Sequence, residues 1–152
     1  MTNRFIRIVL FCVVSMVLSS CATPYKAYNA ASVAPNELAY LVPYTKVTFV
    51  SGEVVEVKEI DAKKINTFGN PKFIELLPGT HVIMVRYEKT FNTGQVSHCM
   101  FSVRPTSITI NMEKGHTYAL KPVSIQKDGQ NIWEPVVTDI TGEKGDPRLE
   151  RN

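Results

Sequence analysis

The chain has 152 residues, with 17 basic side chains against 14 acidic ones, 44% hydrophobic residues and three cysteines. Lys and Glu are interleaved, so the one-sided basic excess of a nucleic-acid binder is excluded. The length is one domain's worth, enough to bury a core without disulfide or metal staples.

Arg4 and Arg7 give the chain a positive start, and Ile8 to Leu18 is an apolar run broken only by Ser15. That pattern predicts a signal peptide. The run is too short for a transmembrane helix, which needs ~20 apolar residues. Leu18-Ser19-Ser20-Cys21 resembles the lipobox of bacterial lipoproteins. The resemblance implies cleavage between Ser20 and Cys21, lipidation of the Cys21 thiol and acylation of the new amino terminus. Two or three acyl chains anchor stably where one does not, so the mature chain stays on its membrane. An ordinary cleaved signal would instead leave Cys21 a plain thiol. Ala22 stands where an Asp commonly retains such proteins at the inner membrane, which by resemblance implies the periplasmic leaflet of the outer membrane.

Loss of residues 1–20 removes Arg4 and Arg7 and no acid, leaving a nearly neutral mature chain of 15 basic and 14 acidic residues. Residues 21–36 are rich in Ala, Pro, Tyr, Asn and Ser without apolar period, and read as a flexible lipidated tether. Cys12 leaves with the signal and Cys21 carries lipid, so Cys99 is alone and no internal disulfide is expected. Alternation in Ser97-His98-Cys99-Met100-Phe101-Ser102-Val103 places Cys99 with Phe101 and Val103 on an apolar face, as a small buried hydrophobe.

Residues 37–141 show short runs of Val, Ile, Phe, Tyr and Thr between turn signals and no helical stripe, which predicts an all-β domain, a small antiparallel β-sandwich. Leu38 to Val42 is a first strand, ended by Pro43. Lys46 to Val50, with Val47 and Phe49 on one face, and Glu53 to Ile60, with Val55 and Val57 inward, form a hairpin about Ser51-Gly52. Leu77-Pro78-Gly79-Thr80 predicts a type II turn, with Pro78 and Gly79 as its structural residues. The strand His81 to Lys89 has apolar side chains on both faces and is expected to be central. Asn92-Thr93-Gly94 is a loop, and the Cys99 strand closes at Pro105. Ile108, Ile110 and Met112 mark a strand, Glu113 to His116 a turn, Thr117 to Leu120 a strand, Lys127 to Gln130 a turn, and Ile132 to Ile140 a last strand around Trp133. Residues 142–152, rich in Gly, Pro and mixed charge, are expected to be disordered.

Leu76-Leu77-Pro78-Gly79-Thr80-His81, Gly115-His116-Thr117-Tyr118, and Trp133-Glu134-Pro135 with Asp139 resemble small envelope lipoproteins with a PEGA-like or transthyretin-like β-sandwich. That group often has Ile-Asp-Gly where this chain reads Ile60-Asp61-Ala62. The matching pieces are turn and packing features, so the resemblance implies a fold and no chemistry.

His81, His98 and His116 lie on separate strands or turns without ligand spacing, so no metal is expected. Glu56, Glu59 and Asp61 have no base or nucleophile beside them, and Glu56 and Glu59 point to opposite faces of a strand. There is no nucleophile elbow or phosphate-cradling glycine loop. No cofactor and no catalytic residue are assigned. The expectation is a non-enzymatic, lipid-anchored module that binds another envelope protein, for which exposed edge strands offer augmentation. The alternatives are a small-ligand carrier or sensor and, third, a cryptic hydrolase. A pocket of several hundred Å³ between the sheets would favour the carrier.

Overall fold

The computed structural model describes residues 24–29, 32–67, 69–92, 97–102 and 104–149. The expected signal segment, its cleavage point at Ser20 and the lipidated Cys21 lie outside the described residues.

Among the described residues eleven strands follow one another: β1 Tyr25–Lys26, β2 Ala39–Val42, β3 Thr45–Val47, β4 Ser51–Ile60, β5 Lys63–Lys64, β6 Ile74–Leu76, β7 Gly79–Asn92, β8 Ser97–Phe101, β9 Thr106–Met112, β10 Thr117–Lys127 and β11 Gln130–Asp139. They form two sheets. One runs β1-β6-β2-β10-β11; the other runs β3-β4-β7-β8, with β5 on β4 and β9 on β7. The all-β sandwich is what the two-residue period predicts, and β7 is central as expected. The first sheet is nevertheless mixed, because β1 lies parallel to β6 and β2 parallel to β10. Both parallel neighbours are distant in sequence, where a long connection can return the chain in the same direction.

The core is the inner face of each strand: Ala39 and Leu41, Val55, Val57 and Ile60, Ile74 and Leu76, Ile83 and Val85, Met112, and Tyr118 with Leu120. Val57 and Ile60 both face in although three residues apart, since the β4–β7 register shifts between Val57 and Glu59. One extra residue in a strand resets its alternation. Strand β2 is buried on both faces. Tyr40 meets Phe73 edge-on at 6.1 Å and donates to the Pro35 carbonyl at 2.9 Å, with Tyr28 and Val33 packed beside them.

Tyr28 also corrects the expected flexible tether. Tyr25 and Lys26 pair with Ile74 and Glu75, the Ala27 amide donates to the Glu75 carbonyl at 2.9 Å, and the Tyr28 hydroxyl donates to Glu75 Oε2 at 3.2 Å. The exposed side of β6 needed a partner for its backbone groups, and this segment supplies it.

The tail differs too. Asp146 is 0% exposed. Its carboxylate accepts from Thr117 Oγ1 at 2.9 Å, the Gly142 amide at 2.9 Å and the Arg148 side chain, whose guanidinium also reaches the Gly115 carbonyl. Residues 142–149 are therefore fastened to the turn before β10, because one buried carboxylate collects enough donors to fix the chain.

Three local expectations change. The first hairpin exists, but it turns at Thr48–Val50, with Ser51-Gly52 inside β4, and Val47 and Phe49 are 73% and 101% exposed. Among the described residues the opposite sheet does not extend over this tip, so the face that Val47 and Phe49 share stays uncovered. Pro78 and Gly79, expected to make a type II turn, stand at a corner: β6 and β7 belong to different sheets, and Gly79 takes φ +137° between them, beyond the φ of about +80° of that turn's third position. The Leu77 carbonyl faces His81 Nε2 at 2.8 Å. Cys99 is exposed on β8, its thiol 3.4 Å from Glu88 Oε1, since among the described residues no strand covers that face there.

Candidate functional site

Four strands change character at one level of the sandwich. Inner-facing positions run Val57, Val55, Glu53 on β4; Ile83, Val85, Tyr87, Lys89 on β7; Leu120, Pro122, Ser124 on β10; and Val137, Pro135, Trp133, Asn131 on β11. Each passes from apolar to polar, by way of Tyr87 on β7 and Trp133 on β11. Side chains that want water do not close against each other, so the sheets part beyond Tyr87 and Trp133.

The β10–β11 hairpin carries this opening. Asp128 and Gly129 have φ of +52° and +74°, and Lys127 pairs with Gln130, which is the two-residue turn whose twist matches its strands. The hairpin is longer than expected on its β10 side, reaching Lys127 instead of Leu120, because pairing with β11 continues after β2 has ended at Val42.

The result is a cleft of about 800 Å³. Tyr87 and Trp133 stack at its inner end, ring centroids 5.3 Å apart and 28° from coplanar. Tyr87 donates its hydroxyl to Glu53 Oε1, and Tyr44 donates to Glu53 Oε2 at 3.4 Å. Burial first, then the Glu53 carboxylate, pushes both phenols above their ordinary values. They remain neutral donors at any physiological pH. Lys89 and Arg104 complete the lining, and neither forms an ion pair among the described residues. The Ser102 hydroxyl accepts from the Tyr87 amide at 3.1 Å.

The histidines are kept apart. His81 Nδ1 lies 2.7 Å from Asp61 Oδ2 at the Pro78-Gly79 corner; His116 Nδ1 lies 2.6 Å from Asp139 Oδ2 at the base of the long hairpin; His98 stacks on Phe91 at 5.2 Å. Among the described residues no three His, Cys, Asp or Glu converge as a metal site. Glu56 pairs with Lys58 at 2.7 Å and Arg86 at 3.0 Å on the outer face of its sheet. Among the described residues no helix is long and apolar enough to cross a membrane.

Composition and motif spacing did not pick out Glu53, Tyr87, Lys89, Arg104 or Trp133 as a group. The legible signal was the simultaneous apolar-to-polar switch on strands that the fold sets side by side.

A family model described as "Uncharacterized protein conserved in bacteria (DUF2057)" matches residues 49–131. That span includes Glu53, Tyr87, Lys89 and Arg104 and stops just short of Trp133. No curated protein and no solved structure matches the chain.

Proposed function

The chain belongs to this bacterial family, whose description carries no activity, and from that premise we propose a lipid-anchored envelope lipoprotein with a PEGA-like or transthyretin-like sandwich, held by Cys21 at the periplasmic face of the outer membrane and acting as a non-enzymatic binding module. Its contact surface is the open end of the sandwich. One observation carries this reading: because β1 docks from Tyr25, only Ala22, Thr23 and Pro24 separate Cys21 from the folded body. A lipid there holds the Tyr25 end against the membrane.

Tyr25 lies beside Ile60 and Lys63, at the far end of β4 from Glu53. Ten strand residues span roughly 30 Å. The cleft and the exposed Val47, Phe49 and Val50 of the first hairpin then face away from the bilayer. Edge augmentation has less support. Among the described edge strands, β1 and β3 are two and three residues long, β8 and β9 five and seven, and the ten-residue β11 carries a proline at its middle. Pro122 stands opposite Pro135, and neither can donate, so this is a pair whose backbone groups point away from each other. Pro135 thus removes a donor from the middle of the free edge of β11.

Hydrolysis has little in its favour. Each His–Asp pair has its second imidazole nitrogen turned elsewhere: His81 Nε2 to the Leu77 carbonyl and His116 Nε2 toward Glu113 at 3.8 Å. A nucleophile would need that nitrogen. A second reading, carriage or sensing of a small envelope ligand, is favoured by the cleft, whose volume lies within the roughly 300–1,000 Å³ of ligand sites.

Crosslinking in intact cells from a photoreactive residue at Phe49 should capture a reproducible envelope partner, and the same residue placed at Lys64, near the Tyr25 end, should not. Mass analysis of the mature amino terminus should find acyl groups on Cys21, and Cys21→Ser should release or stall the protein. Unchanged membrane fractionation of that variant would remove the anchor from the account.

A further inference from the structure

We propose that the cleft between the parted sheets binds an acidic sugar. This deepens the ligand-carrier reading by naming what the cleft takes. Tyr87 and Trp133 give it a stacked aromatic platform, against which the C–H face of a pyranose ring packs. Around the platform stand short hydrogen-bonding side chains: Ser124, Asn131 and Ser102, whose hydroxyl oxygen already accepts the Tyr87 amide and so keeps its proton to donate.

The charge decides between kinds of sugar. Glu53, the one carboxylate among the described residues that line the cleft, is turned to the hydroxyls of Tyr87 and Tyr44, whereas Lys89 and Arg104 form no ion pair among the described residues. A guanidinium fork and an ammonium left open at the mouth of an aromatic cleft complement a carboxylate. A neutral sugar leaves both cations unanswered. An aromatic acid answers them but leaves Asn131 and Ser124 facing an apolar ring, stripped of water without a partner.

Trp133 is the only tryptophan of the chain, so its emission reports on the cleft directly. The full chain titrated with trigalacturonic acid is expected to give a saturable change in that emission, with binding about tenfold weaker for the neutral galactose trimer. Lys89→Gln and Arg104→Gln, both at exposed positions that do not threaten folding, should each weaken binding about tenfold and flatten its salt dependence. Lys121→Gln, an exposed lysine outside the cleft, should leave it unchanged. The proposal is overturned if the acidic trimer produces no saturable change, if the neutral trimer binds equally well, or if the Lys89→Gln, Arg104→Gln double variant binds like the unmodified chain. Binding of benzoate without binding of the acidic trimer also overturns it. These outcomes are independent of the Phe49 crosslink, so failure of the sugar assignment and failure of the module reading are told apart.

Discussion

Asp61 and His81 meet at 2.7 Å across the corner where the chain passes from one sheet to the other. Asp61 uses its second oxygen for the Val82 amide at 2.9 Å, and His81 uses its second nitrogen on the Leu77 carbonyl. One hydrogen-bonded pair thereby closes the corner around Pro78 and Gly79. It also fixes the β4–β5 turn, in which Asp61 and Ala62 both take positive φ, +50° and +62°.

Partial burial works against ionisation of Asp61, but the His81 hydrogen bond and the Val82 amide outweigh it and hold its carboxyl below the usual range. A depressed folded value means that the stabilisation is full above the unfolded carboxylate value of about 4 and is lost as pH falls below it. Asp61→Asn keeps an acceptor for Val82 and removes the charge. With the Asp61 side chain 47% exposed, solvent screening limits the expected loss to about 1 kcal/mol at neutral pH, vanishing in acid. Urea midpoints at pH 7 and pH 3 check this, and an equal loss at both would contradict it.

Ala62 sits in a left-handed conformation that strains any residue with a Cβ. Ala62→Gly should raise stability by about 1 kcal/mol despite the added freedom of the unfolded chain. A fall in the thermal midpoint would show that the turn is not held as described.

Asp146 has a stronger case for pH dependence. Burial opposes its charge, yet Arg148, two backbone amides and Thr117 push its carboxyl far below the ordinary value. The same sign applies: stability is present above about pH 4 and declines as acid approaches the folded value. Asp146→Ala should cost about 3 kcal/mol, since it frees the donors of Thr117 and Gly142 and leaves Arg148 without its carboxylate. Deletion of residues 142–152 should destabilise the domain by a similar amount in calorimetry; an unchanged midpoint would mean that this segment contributes nothing to the fold.

Pro135 blunts the edge of β11. Pro135→Val restores the missing amide and completes the row of outward donors on that strand, so sedimentation should reveal self-association absent from the unmodified chain. A strictly unchanged sedimentation profile would show that the edge is guarded by something else.

Sequence by itself determined the all-β class, the central place of β7, the turns at Glu113–His116 and Lys127–Gln130, and the inward placement of Val55 and Val57. Those follow from a two-residue period and from turn chemistry, both of which are local. Tertiary structure alone decided which sheet each strand joined: that Pro78-Gly79 is a corner between sheets, that Tyr25–Tyr28 and Asp146 are fastened, that Val47, Phe49 and Cys99 stay uncovered, and that Tyr87 meets Trp133 across the cleft. Alternation says that a strand has an apolar face. Whether anything covers that face depends on residues dozens of positions away, and no local pattern records their approach.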